Sequence, residues 1–120
     1  MLVVDDEAGI RSAVRSILER NGYRVVTASD GVEGLGQFKD FRTEIRVVLT
    51  DLLMPRMGGV ALVAALKQLD PRVKILASSG SGREGEQAQL QALGATQFLP
   101  KPYAADSLLQ TLQEVLSKGA

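Results

Sequence analysis

A small set of residues in this chain of 120 has the types and the placement to do chemistry together: Asp5, Asp6, Asp51, Ser78, Ser79 and Lys101. The chain has no histidine and no cysteine. That excludes Ser-His and Cys-His catalysis, thiolate nucleophiles, disulfides and imidazole metal ligands. Carboxylates, hydroxyls and lysines must carry any reaction. Asp51 lies in "VVLTDLLMPRMGG", residues 47 to 59, behind an apolar run and ahead of a Met-Pro and a double glycine. A short apolar run bounded by turn residues reads as a buried strand, and an acid at its end sits where the chain leaves the core. Taken singly, each residue of the set has an ordinary structural use: an N-cap for Asp5 and Asp6, a cap or turn for Asp51, a turn hydroxyl for the serines, a solvated surface position for Lys101. As a set they are harder to dismiss. Three carboxylates brought to one rim repel each other, and a divalent cation or a lysine ammonium is what neutralises such an arrangement. The sequence supplies Lys101 and invites Mg²⁺.

Whether those residues meet depends on the elements that carry them. "LVVDD" opens as a strand, and Ile10, Ala13, Val14, Ile17 and Leu18 share one helical face that Asn21-Gly22 closes. A second strand is expected over 24–28, a Gly-interrupted helix over about 31–41, and a third strand, "RVVLT", just before Asp51. Val60, Val63, Ala64 and Leu66 mark the next helix, "RVKILA" at 72–77 a fourth strand, and "EGEQAQLQALG" at 84–94 a helix ending at Gly94. A short strand, "QFL", and a last helix with Leu108, Leu109, Leu112, Val115 and Leu116 complete the alternation. Five strand-helix pairs imply an α/β fold whose parallel sheet is covered on both faces, which is why the central strands read as near-continuous Val, Ile and Leu. In such a sheet the functional loops lie at the carboxyl ends of the strands, around the switch point of strand order. That edge is where all the candidate residues fall.

Composition agrees with one ordinary globular domain over 1–120. Hydrophobic residues make up 45% of the chain, enough for a single core, and 14 basic residues balance 14 acidic ones. With a formal charge of zero there is no general electrostatic footprint for nucleic acid or an anionic membrane. Neither a signal peptide nor an apolar stretch approaching a membrane span is visible, so the expected location is the cytoplasm.

"LVVDDE", the "TD" at 50–51 followed by "MPRMGG", the "SSG" at 78–80 and the "KP" at 101–102 together resemble the receiver domain of two-component response regulators. The resemblance spans the whole chain. It implies a flavodoxin-like three-layer sandwich: a five-stranded parallel sheet of order 2-1-3-4-5 with five helices. It also implies roles. Asp51 corresponds to the phosphoacceptor, Asp5 and Asp6 to the acidic pair that holds Mg²⁺, Ser79 to the switch hydroxyl, Phe98 to the switch aromatic and Lys101 to the family's lysine. The metal is expected on Asp6, Asp51 and the main-chain carbonyl of Leu53. Lys101-Pro102 matches a peptide bond that is cis in the family. In relatives, the side chains two positions after the acceptor and two after the switch hydroxyl, here Leu53 and Ser81, flank the path of the hydrolytic water. The expected donor is a histidine kinase or a histidine phosphotransfer domain, since this chain has no histidine of its own. "FLPKPY" and "LASSG" resemble most closely the receivers fused to hybrid sensor kinases. No separate substrate is expected to be turned over, and the domain is expected to be a monomer or weak dimer that binds neither nucleic acid nor membrane.

Other readings compete. Gly80-Ser81-Gly82-Arg83-Glu84-Gly85 spells GxGxxG after a strand and before a helix, the context of a dinucleotide site. That fingerprint belongs to the first strand-helix turn and expects an acid about twenty residues on, where this chain has Lys101. A phosphatase with an aspartate nucleophile would carry a second acid two residues later, and that position is Leu53. A receiver-like module regulated without phosphate is disfavoured because every acceptor-site residue is present.

Overall fold

The computed structural model describes all residues except 52–56, 80–87, 89–90, 93, 101–102 and 118–120; the side chains of Ser79 and Pro100 are likewise not described. The strands are β1 (Leu2–Val4), β2 (Val26–Ala28), β3 (Val47–Asp51), β4 (Lys74–Ser79) and β5 (Gln97–Pro100). All pair in parallel in one sheet of order β2-β1-β3-β4-β5, as expected. Helices α1 (Ala8–Arg20), α2 (Gly31–Asp40), α3 (Gly59–Leu69) and α4 (Ala105–Ser117) connect or follow them. Four helices are thus defined among the described residues, against the five expected. The helix expected over 84–94 falls mostly outside them. Within that segment Ala88, Gln91 and Ala92 have helical backbone, and Gly94, at φ 101°, takes the left-handed conformation of a helix end.

The alternation of side chains along each strand sorts the core into two layers. Leu2, Val4, Val48, Ile75 and Ala77 pack with Phe38 of α2 and with Leu62, Val63 and Leu66 of α3. On the opposite face Val3, Val47, Leu49, Leu76 and Leu99 pack with Val14 and Leu18 of α1 and with Leu108, Leu112 and Val115 of α4. Both faces being covered, every residue of β3 is buried, which accounts for its apolar run. Phe38 is fully buried in the first layer. Phe38→Ala is expected to lower the unfolding free energy by about 3 to 5 kcal/mol through lost burial and the cavity left behind. Urea denaturation checks this, with the change seen in the midpoint at an unchanged slope.

Element ends differ from the sequence reading by one or two residues, for identifiable reasons. β2 begins at Val26, two residues after the expected start. β3 runs on to include Asp51, and β4 includes Ser78 and Ser79, because ladder pairing continues to Asp51↔Ser78 and Ser79↔Pro100. These candidates are therefore fixed by the sheet itself. α1 ends as its sequence predicts: Gly22 adopts φ 88°, its N–H reaches the Glu19 carbonyl at 3.2 Å, and the Tyr23 N–H reaches the Leu18 carbonyl at 3.0 Å, the paired bonds of a Schellman cap. No helix among the described residues is long and apolar enough to cross a membrane.

Candidate functional site

Strand order reverses between β1 and β3, since β2 lies on one side of β1 and β3 on the other. Crevices at such points, beyond the carboxyl ends of the strands, are where open α/β sheets bind ligands. Val4 pairs with Thr50, so continuing the register by one residue brings Asp5 beside Asp51. Asp5 and Asp51 are buried, at 3% and 8% exposure, while Asp6 is exposed. Carboxylate oxygens from these three residues all lie within 4.8 Å of one another. The convergence expected from the sequence is therefore present.

Local bonds hold the acids in place. Asp5 Oδ1 accepts from the Glu7 N–H at 2.9 Å, a short loop that turns the chain into α1 and takes up one carboxylate oxygen. Arg11, one turn into α1, donates from Nη1 to the Asp5 carbonyl at 2.7 Å. Buried Thr50 donates its hydroxyl to the Asp51 carbonyl at 2.9 Å. Ligand oxygens on one octahedral Mg²⁺ sit roughly 3 to 4 Å apart, so a hard divalent cation with its waters fits a cluster of this size. Oxygen donors alone suit Mg²⁺ or Mn²⁺ rather than a soft metal.

Of the remaining predicted residues, Ser78 is buried and pairs with Asp51, and Ser79 closes β4 opposite Pro100. Phe98 pairs with Ala77 on β5 and packs, half-buried, against the layer formed with α2 and α3. Leu53, Lys101, Pro102 and the whole GxGxxG run at 80–85 lie outside the described residues.

One part of the site went unread in the sequence. Asp30 caps α2, its Oδ1 accepting from the Glu33 N–H at 2.8 Å, while Glu33 Oε1 accepts from the Ser29 N–H at 2.8 Å. The Asp-x-x-Glu spacing of 30–33 is the signal that announces a cap of this kind, the Glu33 carboxylate here reaching one residue past the N-cap to Ser29. It matters to the site because the adjoining Gly31 N–H donates to the Met57 carbonyl at 3.1 Å. Met57 lies six residues beyond Asp51, so the start of α2 is tied to a point shortly past the central carboxylate.

A parallel sheet of order 2-1-3-4-5 with a cluster of carboxylates at its switch point defines the class: a flavodoxin-like α/β domain with an acidic site at the carboxyl ends of its strands. Residues 1–113 match the family described as "Response regulator receiver domain", and the chain belongs to it. Over 118 residues it is 30% identical to the chemotaxis protein CheY of Bacillus subtilis, covering 98% of this chain and 97% of that one. It is 33% identical to the sensor kinase CckA of Brucella abortus and to the response regulator MprA of a Mycobacterium species, again over 98% of this chain. It spans only 12% of the first and 50% of the second. A solved receiver domain from Clostridium thermocellum superposes with a TM-score of 0.92 at 31% identity, covering 98% of this chain and 93% of that one. The CheY of a CheX–CheY–BeF3–Mg²⁺ complex from Borrelia burgdorferi gives 0.92 at 27% identity, with 96% and 87% covered. The chain is a CheY-like receiver domain of two-component signalling, and the nucleotide-binding alternative is not favoured.

Proposed function

We propose that Asp51 is the phosphoryl acceptor of this receiver, with Asp5 and Asp6 completing a Mg²⁺ site and residues 1–120 forming a single receiver domain. The observation that carries this is the meeting of the three carboxylates at the sheet's switch point. In the proposed step an Asp51 carboxylate oxygen attacks phosphorus, the P–N bond to a donor imidazole breaks, and the freed imidazole leaves with the electron pair. Phosphoryl transfer asks the protein for in-line placement and for positive charge around the equatorial oxygens. β3 fixes the nucleophile, and Asp5 and Asp6 hold the cation site beside it. Bound Mg²⁺ supplies positive charge to the carboxylates and to a phosphoryl oxygen. Lys101, the residue after β5, is assigned to a second oxygen and Ser79 to a third. Phe98 is assigned the packing change that reports the charge, two packings of one core being an equilibrium that a covalent modification can bias.

The donor is a phosphohistidine on a sensor kinase or phosphotransfer domain; the likeness to the sensor kinase CckA fits a receiver carried within a kinase, and the likeness to MprA fits one carried by a separate response regulator. Titration with beryllofluoride plus Mg²⁺ tests the function. Saturable shifts centred on the Asp5, Asp51 and Ser79 edge and reaching Phe98 are expected; no response at that edge to beryllofluoride, with NAD shifting it instead, would refute the reading.

Two consequences concern the phosphorylated state. A leucine at position 53 has no side-chain hydrogen bond to offer a hydrolytic water, and the loss of one such contact raises the barrier to hydrolysis by about 1 to 2 kcal/mol, roughly tenfold in rate. The Asp51 phosphate is therefore expected to decay slowly, and faster in Leu53→Asn. Following decay by acid-gel mobility decides this: an unchanged rate in the variant places control elsewhere. Residues 87–100 carry no charge, and 102–113 only Asp106. A salt-sensitive dimer through the surface formed by 87–113, from the expected fourth helix through β5 to α4, is accordingly not expected on beryllofluoride addition. Light scattering at low and high salt is the check.

A further inference from the structure

The opposite edge of the sheet, where the strands begin, carries the reverse charge. Between the starts of β3 and β4 lies a cavity of about 370 Å³ whose lining includes Arg42, Arg46, Arg72 and Lys74. Among the described residues that line it the one acid is Asp70, whose Oδ1 already accepts from the Arg72 N–H at 3.0 Å. In a chain of zero net charge this is a local excess of cations, placed at the other end of the sheet from the Asp5, Asp6 and Asp51 cluster.

Helix ends account for part of it. α2 and α3 both finish at this edge, and cations there complement the partial negative charge of their terminal carbonyls. Arg42 does so directly, donating from Nη2 to the Leu69 carbonyl. Lys67, at the end of α3, donates to the Val73 carbonyl at 2.7 Å. Arg46, Arg72 and Lys74 have no side-chain hydrogen bond or ion pair among the described residues. Their placement is set by the chain: the Lys74 N–H donates to the Arg46 carbonyl at 3.0 Å, so the two strand starts lie side by side, and Arg72 is two residues upstream of Lys74. The lysines already feel one another. The Lys67 ammonium is held below the usual lysine range by partial burial, with Asp70 opposing the shift and Lys74 adding to it.

We propose that this cavity is a second binding site, for a compact phosphate-bearing anion with an apolar part, the chemistry of a nucleoside diphosphate. Guanidinium forks match phosphate oxygens bidentately, and an ammonium adds a compact point charge. The cavity has the size of a small-ligand site rather than of a long groove for an acidic peptide. Apolar wall is present too: Ile45 and Val73 are buried beneath it, and Leu116 of α4, at 38% exposure, is one of the few large apolar side chains left open to solvent. A flat stain of surface charge would have neither the concavity nor this apolar side.

The test is an amide NMR titration of the chain in Mg²⁺-free, low-salt buffer with inorganic pyrophosphate, ADP and adenosine in turn. ADP is expected to give saturable shifts at Arg46, Arg72, Lys74 and Leu116, pyrophosphate weaker ones at the same amides, and adenosine none. Arg46→Ala combined with Arg72→Ala should weaken ADP binding at least about tenfold, since two charge-assisted contacts to phosphate are lost together. Both positions are exposed, so the variant should keep the parent's spectrum elsewhere. Failure to saturate by about 10 mM ADP, shifts lying elsewhere, an unaltered affinity in the double variant, or tighter binding of a Glu-rich peptide of equal charge would each overturn the proposal.

Discussion

Asp51→Asn is expected to take up no phosphoryl group from acetyl phosphate or a cognate donor under conditions in which the parent chain, with Mg²⁺, takes up one. The substitution keeps the size and most of the hydrogen-bonding capacity of the side chain, so the fold has little reason to respond. What it removes is the anionic oxygen proposed to attack phosphorus and one of the charges proposed to hold the cation. Neither neighbour can substitute. Asp5 already commits one oxygen to the Glu7 N–H, and Asp6 is the exposed member of the cluster, outside the ladder that fixes Asp51 opposite Ser78. Loss of the nucleophile therefore means loss of the reaction rather than a slower version of it. Intact-mass measurement, with hydroxylamine to reveal the acyl phosphate, is the check. Stoichiometric phosphorylation surviving in the variant would sink the assignment of Asp51. Chelation of Mg²⁺ should silence the parent in the same assay, separating a missing cation from a missing nucleophile.

The acidic half of this site was legible in the sequence for a physical reason. A strand buried on both faces has an apolar run that ends abruptly, so an acid at its end is conspicuous, and parallel topology then collects such ends on one edge. Asp5, Asp6 and Asp51 needed no side-chain geometry to be grouped. Register needed more. Ser78 and Ser79 were expected beyond β4 but belong to it, because a strand's last residues are decided by whether a neighbour remains to pair with. Asp51 and Pro100 provide that neighbour, and no local propensity records it. The connection through Asp30 and Gly31 was half legible. Its cap follows a spacing rule, whereas the contact with Met57 joins segments far apart in the chain and leaves no periodic trace. Charge balance hid the most: equal numbers of acids and bases describe a neutral chain, and only the fold separates Asp5, Asp6 and Asp51 at one edge from Arg42, Arg46 and Arg72 at the other.

Gly31→Ala is expected to cost the domain about 2 to 4 kcal/mol and to weaken Mg²⁺ binding along with it. A Cβ at residue 31 would stand 2.2 Å from the Met57 carbonyl oxygen, 2.6 Å from its Cβ and 2.7 Å from its Cγ, far inside contact distance. The nearest of these atoms is backbone and cannot rotate aside. Either α2 retreats or Met57 does, and both break the bond from the Gly31 N–H to the Met57 carbonyl. Overpacking in a close-packed interior typically costs 1 to 3 kcal/mol, and a lost buried hydrogen bond adds about 1 more. Gly36, in the same helix, is the internal control: nothing lies within 4 Å of where its Cβ would go. Gly36→Ala should therefore stabilise the domain by roughly 0.5 to 1 kcal/mol, through helix propensity alone. The opposite signs separate a steric lock from a general preference for alanine in helices. Because Met57 closes the segment that departs from Asp51, calorimetric titration with Mg²⁺ should show a several-fold weaker affinity in the Gly31 variant and no change in the Gly36 variant. If Gly31→Ala proves as benign as Gly36→Ala in both urea denaturation and Mg²⁺ titration, the start of α2 does not hold the acceptor loop.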